Sequence, residues 1–212
     1  MTSLKNIYEY HHKNKKKIGF SILEKERGIL LKNFIGKGKK ILDLGCRDGT
    51  LTKYFVEGNQ VLGVDIDKNS LKIAKKNLGI EILEMDLNGD WQELGNKTFD
   101  VIVAGEILEH LYYPEIVLEK IKKRLNQNGV FIGSVPNAFS LKNRIRYFLG
   151  KKKNTPLEDP THINHFSYKE LKNLLTKYFK EVKIIGLGRY KFLSRIFPNL
   201  FAFDLFFVCK NE

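Results

Sequence analysis

The chain has 212 residues, of which 42% are hydrophobic and 12% aromatic, enough to bury one substantial core but few for two independent domains. Its 37 basic and 24 acidic residues give a formal net charge of +13, which can attract nucleic acid, an anionic membrane surface or an acidic small molecule without choosing among them. No apolar run approaches the roughly 20 residues of a membrane span, no signal-peptide core follows the Lys-rich N-terminus, and two cysteines are too few for a disulfide framework. These features predict a single domain over residues 1–212 in the cytoplasm.

Short apolar runs alternate with segments of helical period from Lys39 onward, as in the βαβ units that build a parallel sheet. The runs are continuous rather than alternating, as strands buried on both faces require. The predicted strands are residues 40–44, 60–65, 80–85, 99–104, 130–135, 182–187 and 205–209. The predicted helices are residues 70–78, 114–125, 141–149 and 167–179, preceded by a helical N-terminal extension over residues 1–38 that packs on the sheet. Ser167, three residues before Glu170, is the expected cap of the last of these helices, and Asn128-Gly129 is the expected turn before the fifth strand.

A glycine-containing loop follows the first predicted strand, in the sequence Ile41-Leu-Asp-Leu-Gly-Cys-Arg-Asp-Gly49-Thr. Glycine suits a tight turn in which the backbone approaches a ligand, and the next helix, expected to carry Leu51, Tyr54 and Phe55, would point its N–H groups at that ligand. Asp65 ends the second strand about twenty residues later, where a carboxylate can accept hydrogen bonds from both ribose hydroxyls. The spacing therefore predicts a site for an adenosyl ligand.

This loop resembles the Asp-Leu-Gly-Cys-Gly-x-Gly motif of the class I S-adenosylmethionine-dependent methyltransferases, and the resemblance covers about residues 39–179. It implies S-adenosylmethionine as cofactor and a Rossmann-like, doubly wound, mostly parallel seven-stranded sheet with an antiparallel last strand and helices on both faces. It also implies that Asp65 binds the ribose with Ile66 beside the adenine, that Asp86 and Leu87 contact the adenine, and that the segment from Gly105 and Glu106 onward lines the methionine end. The cofactor-binding residues implied are Asp43, Gly45, Cys46, Arg47, Gly49, Asp65, Ile66, Asp86, Leu87, Gly105 and Glu106.

Two features of the loop bear on which nucleotide it binds and how. It lacks the Gly-x-Gly-x-x-Gly spacing that lets a helix approach a pyrophosphate, which argues against NAD. The middle glycine of the family motif is Arg47 here, so either the backbone tolerates a side chain at that position or the cofactor lies slightly differently.

Three histidines are candidates for catalytic or substrate-binding roles, because an imidazole titrates near neutrality. His110 follows the fourth strand, at the end of the sheet where ligands bind in open α/β folds, and can alternatively orient that loop. His162 and His165 lie in the loop expected to cover the acceptor. With Asp159 these two can alternatively hold a metal, but their spacing matches no strong ligand pattern, so no metal is assigned.

The expected reaction is methyl transfer to an oxygen, nitrogen or carbon of a small molecule, since the segment Ala104-Gly105-Glu106-Ile107 lacks the Asn/Asp-Pro-Pro-aromatic motif of enzymes that methylate base amino groups. Residues 137–164 and 189–203 are expected to cover the acceptor, and the aromatic residues of the second range form either core or a lipophilic acceptor pocket. Two alternatives remain: an RNA methyltransferase that uses the basic surface as a phosphate-binding rim, and a regulatory protein that binds S-adenosylmethionine without turnover because of Arg47. The oligomeric state is left undecided.

Overall fold

A computed structural model describes residues 18–210, and the chain divides into two compact units with the boundary between Val103 and Ala104. The strands are β1 Lys40–Leu44, β2 Gln60–Asp65, β3 Glu81–Glu84, β4 Phe99–Gly105, β5 Leu125–Pro136, β6 Glu181–Leu187 and β7 Asp204–Lys210. The α-helices are α1 Glu24–Ile35, α2 Lys68–Leu78, α3 Pro114–Arg124, α4 Leu141–Phe148, α5 Tyr168–Thr176, α6 Lys191–Ile196 and α7 Pro198–Phe201. Among the described residues, no helix combines the length and apolar character needed to cross a membrane.

The seven strands form one sheet in the order β3-β2-β1-β4-β5-β7-β6. The strand β1 runs parallel to β2 and β2 parallel to β3, whereas β7 runs antiparallel to both β5 and β6. The predicted Rossmann-like sheet with an antiparallel last strand is therefore confirmed.

In the first unit, the three parallel strands end side by side. Leu44 of β1 pairs with Val64 of β2, and Asp65 at the end of β2 pairs with Glu84 at the end of β3. Because the carboxyl ends of parallel strands meet at one edge of a sheet, the loops that follow β1, β2 and β3 gather at that edge. The buried side chains of β1, each with 0% exposure at Ile41, Leu42 and Leu44, hold the loop that follows β1 on a rigid base.

The predicted helix after the glycine loop is wrong, because Thr52–Tyr54 form only a single 3-10 turn there. The next strand, β2, begins at Gln60. Just before it, the Asn59 side chain stabilises the turn by donating to the carbonyls of Gly36 and Phe55 at 2.9 and 2.7 Å. The residues 50–59 between Gly49 and β2 allow at most about two to three helical turns, and the last of them form the turn at Asn59 that leads into β2.

The N-terminal extension predicted over residues 1–38 is described only from residue 18, and the rest of it lies outside the described residues. The described part contains α1, whose buried side includes Leu31 and Ile35.

In the second unit, the helices α5, α6 and α7 pack against β6. The ring of Phe131 on β5 lies 5.1 Å from that of Phe207 on β7 and 5.6 Å from that of Phe179, which follows α5. The helix α5 begins as predicted, since Ser167 and Glu170 form a reciprocal capping box. The predicted turn at Asn128-Gly129 is wrong, because the chain is already extended at Leu125, directly after α3, and both residues lie within β5.

The aromatic residues of the segment 189–203 lie mostly at the surface. Tyr190, Phe192, Phe197 and Phe203 are 60%, 74%, 53% and 50% exposed, so the interpretation of these four as core is wrong. The short helices α6 and α7 bury little side-chain area, with Ser194 as the buried residue of α6.

Candidate functional site

The glycine loop after β1 is pinned to the end of β2 by its own backbone. The N–H groups of Gly45 and Cys46 both donate to the Val64 carbonyl, at 2.7 and 3.1 Å. Gly45 and Gly49 have φ of 68° and 81°, in the left-handed region that glycine adopts without steric cost. A Cβ at Gly49 would lie 2.5 Å from Leu78 Cδ1 on α2, so the loop packs against this helix at a position where any other residue would have to displace Leu78.

Arg47 adopts a left-handed backbone conformation, with φ of 51°. Its N–H donates to Asp65 Oδ2 at 3.0 Å, and its guanidinium donates to the Phe20 carbonyl and to Asp48 Oδ1, the latter at 3.4 Å. The backbone at this position therefore accommodates a side chain in a left-handed conformation typical of glycine.

Asp65 is buried at the carboxyl end of β2, as predicted, with 6% exposure. One carboxylate oxygen accepts from Arg47 N–H, and the other accepts from Asp67 N–H at 2.9 Å. Asp67 in turn caps α2 through Asn69 and Ser70. The structure thus brings together two of the predicted residues, Arg47 and Asp65, in one hydrogen-bonded turn.

Asp43 is a buried carboxylate of β1 that is hydrogen-bonded within the protein. Its carboxylate accepts from Thr52 Oγ1 at 2.6 Å. Burial raises the pKa of Asp43 to about 7, with a contribution from the nearby Asp65 charge and against the effect of the Thr52 hydrogen bond. Cys46 is also buried, and burial followed by the neighbouring carboxylates raises the pKa of its thiol, which favours the neutral thiol over the thiolate.

Asp48 is a residue of this loop that the sequence interpretation missed. Its carboxylate accepts from the N–H and hydroxyl of Thr50 and from the backbone N–H of Gly19. Burial alone would raise the pKa of Asp48, but these donors and the Arg47 charge outweigh it and hold the pKa below its usual value. The sequence could have indicated this role, because an aspartate next to a glycine in a loop often orders a turn by accepting backbone N–H groups.

Asp86 and Leu87 follow β3, next to the end of β2. The N–H of Met85 donates to the Asp65 carbonyl at 3.0 Å, so the two strand ends are joined directly. Asp86 is exposed and accepts from the N–H of Asn88 at 2.9 Å, and the Leu87 carbonyl accepts from the indole of Trp91 at 2.9 Å. Ile66, directly after Asp65, is half-buried.

In the second unit, the turn after β4 carries another strained residue. Gly105 ends β4, and Glu106 has a φ of 62°. The N–H of Glu106 donates to the Ser134 carbonyl at 2.9 Å, and Glu106 Oε1 accepts from the Ser134 hydroxyl at 3.1 Å. Non-glycine residues in this region are typically found where the surrounding structure holds a functional loop in place.

Two of the three candidate histidines lie together, and the third is separate from them. The imidazole rings of His110 and His162 are 4.8 Å apart between centroids, and with Glu109 they form a group whose possible ligand atoms all lie within 4.8 Å of one another. His165 is half-buried outside this group, and burial lowers the pKa of its imidazole. The grouping differs from the His162, His165 and Asp159 set that the sequence suggested.

Glu109 belongs to the segment after β4 that the resemblance assigns to the methionine end of the cofactor, but the sequence interpretation did not group it with the histidines. It is 1% exposed and sits in the 3-10 turn Leu108–His110 after β4. The sequence could have indicated this residue, because Glu109 directly precedes the candidate histidine His110. Asp159, by contrast, uses its carboxylate to accept from the N–H and hydroxyl of Thr161.

Comparison with known proteins places this geometry in a family. Residues 11–178 match the family described as "Methyltransferase domain". The chain is 35% identical over 109 residues to a ubiquinone biosynthesis O-methyltransferase of Idiomarina loihiensis, covering 47% of this chain and 43% of that protein, and 34% identical over 118 residues to the enzyme of the same name from Pasteurella multocida, covering 47% of each. The chain therefore spans less than half the length of these relatives.

Solved structures share the fold at low sequence identity. A SAM dependent methyltransferase from Archaeoglobus fulgidus aligns with a TM-score of 0.69 at 20% identity, covering 95% of this chain and 99% of that one. The plantazolicin methyltransferase BpumL in complex with SAH aligns with a TM-score of 0.65 at 18% identity, covering 100% and 92%. The chain belongs to the methyltransferase-domain family and has the fold of S-adenosylmethionine-dependent methyltransferases.

Proposed function

We propose that this protein transfers a methyl group from S-adenosylmethionine to a small-molecule acceptor. The observation that carries the proposal is the turn in which Arg47, in the left-handed backbone conformation that favours glycine, donates its N–H to Asp65 at the end of β2. An oxygen acceptor is favoured, because the relatives that match the chain are named O-methyltransferases.

Asp65 binds the ribose of the cofactor in this proposal. Its carboxylate is already held by two backbone N–H groups, so it is oriented before the ligand arrives and loses little freedom on binding. Ile66 and Leu87 supply apolar contact to the adenine, and Asp86 accepts from the adenine amino group. The cofactor supplies the methyl group, and the acceptor attacks its carbon in line as the bond to sulfur breaks, with the electron pair staying on sulfur.

Calorimetric titration with S-adenosylmethionine and S-adenosylhomocysteine, with NAD as a comparison ligand, tests the cofactor assignment. Wild-type protein should bind both adenosyl ligands and not NAD. Asp65→Ala should weaken that binding at least about a hundredfold, because two ribose hydrogen bonds to a charged acceptor are lost. Asp90→Ala, which removes an exposed carboxylate after β3, is the matched control and should bind like the wild type. Wild-type protein without affinity for either adenosyl ligand would overturn the proposal.

Two other functions are separated from this one by simple observations. An RNA methyltransferase should hold bulk RNA at physiological salt, which the net charge of +13 permits. A regulatory protein should bind S-adenosylmethionine but methylate nothing in a broad acceptor panel. The cytoplasm is the compartment we propose, supported by the two free, buried cysteines.

A further inference from the structure

Glu109, His110 and His162 form a compact set of metal-ligating side chains within the second unit. Their possible ligand atoms, one from each residue, all lie within 4.8 Å of one another. Zn–N and Zn–O bonds of about 2.0–2.2 Å place tetrahedral ligand atoms roughly 3.3 Å apart. The three groups therefore need to move together by only about 1.5 Å to enclose an ion.

Hydrogen bonds to backbone carbonyls fix which nitrogen of each imidazole can act as a ligand. Nδ1 of His110 lies 2.8 Å from the Thr161 carbonyl, and Nδ1 of His162 lies 3.0 Å from the Pro156 carbonyl. A carbonyl can only accept, so in both rings Nδ1 carries the hydrogen and Nε2 carries the lone pair. Metal-binding histidines commonly have this arrangement, in which the outer hydrogen bond orients the ring and raises the basicity of the ligating nitrogen.

The two segments that carry these ligands are joined by backbone hydrogen bonds. The Glu109 carbonyl accepts from the N–H groups of both Ile163 and Asn164, at 2.8 and 2.9 Å, directly after His162. The 3-10 turn Leu108–His110 therefore holds the His162 loop in place. Because the ligands are positioned by the fold, little ordering is needed when an ion binds.

We propose that Glu109, His110 and His162 bind one divalent transition-metal ion, with Zn²⁺ as the representative. Two imidazole nitrogens and one carboxylate match the His-His-Glu ligand sets of catalytic zinc sites, which keep a further coordination position open. Imidazole ligands favour zinc, cobalt or iron over magnesium and calcium, which prefer oxygen.

The open position identifies the acceptor class, and this part of the inference rests on the proposed function. A metal ion that binds an acceptor hydroxyl lowers its pKa, so the oxygen loses its proton to solvent near neutral pH without a separate base. That oxygen then forms the bond to the methyl carbon, and the bond from carbon to sulfur breaks with the electron pair on sulfur. The acceptor is accordingly a small molecule whose hydroxyl group takes the open position on the ion.

Calorimetric titration of the chelator-treated 212-residue chain with Zn²⁺ tests the site directly. Wild-type protein should bind one ion per chain. His162→Ala and Glu109→Gln should each weaken binding at least about tenfold, while His165→Ala, a histidine of the same loop outside the set, should bind Zn²⁺ like the wild type. Glu109→Gln keeps the shape of the buried side chain, so its effect reports the lost carboxylate charge. Mg²⁺ in place of Zn²⁺ should bind much more weakly.

Titration of the same samples with S-adenosylhomocysteine separates this inference from the proposed function. Variants that still bind S-adenosylhomocysteine but have lost Zn²⁺ are folded and support the metal site. Equal Zn²⁺ affinity in wild type, His162→Ala and Glu109→Gln would overturn it. Zn²⁺ binding without S-adenosylhomocysteine binding in the wild type would support the metal site and overturn the methyltransferase proposal.

Discussion

Arg47 combines a backbone conformation typical of glycine with a side chain that makes its own contacts. The left-handed conformation costs about 1–2 kcal/mol for a residue with a Cβ. The guanidinium offsets part of that cost by contacts with Phe20 and Asp48, and the backbone N–H is used by Asp65. Arg47 therefore occupies a turn position that favours glycine, at some cost in conformational energy.

Replacing Arg47 by glycine and by alanine separates backbone strain from side-chain contacts. Both variants lose the guanidinium contacts, but only Arg47→Ala keeps a Cβ at φ 51°. We expect Arg47→Gly to exceed Arg47→Ala in free energy of unfolding by roughly 1 kcal/mol, measured by urea denaturation of the two variants side by side. Alanine equal to or more stable than glycine at this position would show that the left-handed conformation is not maintained.

At the scale of elements, the glycine loop and α2 must fit against each other. Gly49 and Gly79 both have positive φ, of 81° and 68°, but a Cβ at Gly49 would meet Leu78 whereas a Cβ at Gly79 would meet nothing within 4 Å. Substitution of Gly79 therefore measures the cost of the left-handed conformation alone. Substitution of Gly49 measures that cost together with the cost of displacing Leu78.

We expect Gly79→Ala to lower the free energy of unfolding by about 1 kcal/mol and Gly49→Ala by roughly 2–3 kcal/mol, because the added methyl group displaces Leu78. In a Leu78→Ala background the Gly49→Ala substitution should cost less than in the wild type, since the displaced side chain is gone. Urea denaturation of the four proteins of this double-mutant cycle measures the coupling. Additive effects would mean that the loop does not pack against α2 at this position.

The elements themselves were predictable where the pattern was strong. The bounds of β1 and β2 match the predicted residues 40–44 and 60–65, because a mostly apolar run between turn residues allows few other interpretations. The 3-10 turn Thr52–Tyr54 was not predictable, because apolar residues at helical spacing also occur where a short segment packs against a neighbour. In the described region, Tyr54 lies over Gly28 of α1, where a Cβ would come within 2.4 Å of its ring.

At the scale of the whole molecule, the net charge of +13 is the property that could direct the protein to a polyanion. Basic residues are concentrated in places such as Lys151–Lys153, which are exposed. Charge of this kind gives non-specific binding that is strong only at low salt. Selective use of RNA would instead require contacts that persist as salt is raised.

For a small-molecule enzyme, we expect bulk RNA to bind at about 50 mM salt and to be released by about 200 mM, as counterion release dictates. Fluorescence anisotropy with labelled RNA across this range measures the change. Replacing Lys151, Lys152 and Lys153 by glutamine should reduce the low-salt affinity and leave S-adenosylhomocysteine affinity unchanged. Binding that survives at 200 mM salt would favour the RNA methyltransferase alternative.

The sequence by itself determined the parallel strands, the glycine loop and the position of Asp65, because these depend on local apolar runs and on spacing along the chain. Only the tertiary structure decided that Arg47 keeps a left-handed backbone, since that depends on Asp65 and Phe20 as hydrogen-bond acceptors. It also decided that His162 joins Glu109 and His110 while His165 does not. The distance between residues 110 and 162 along the chain carries no information about that contact, which the backbone hydrogen bonds to the Glu109 carbonyl create.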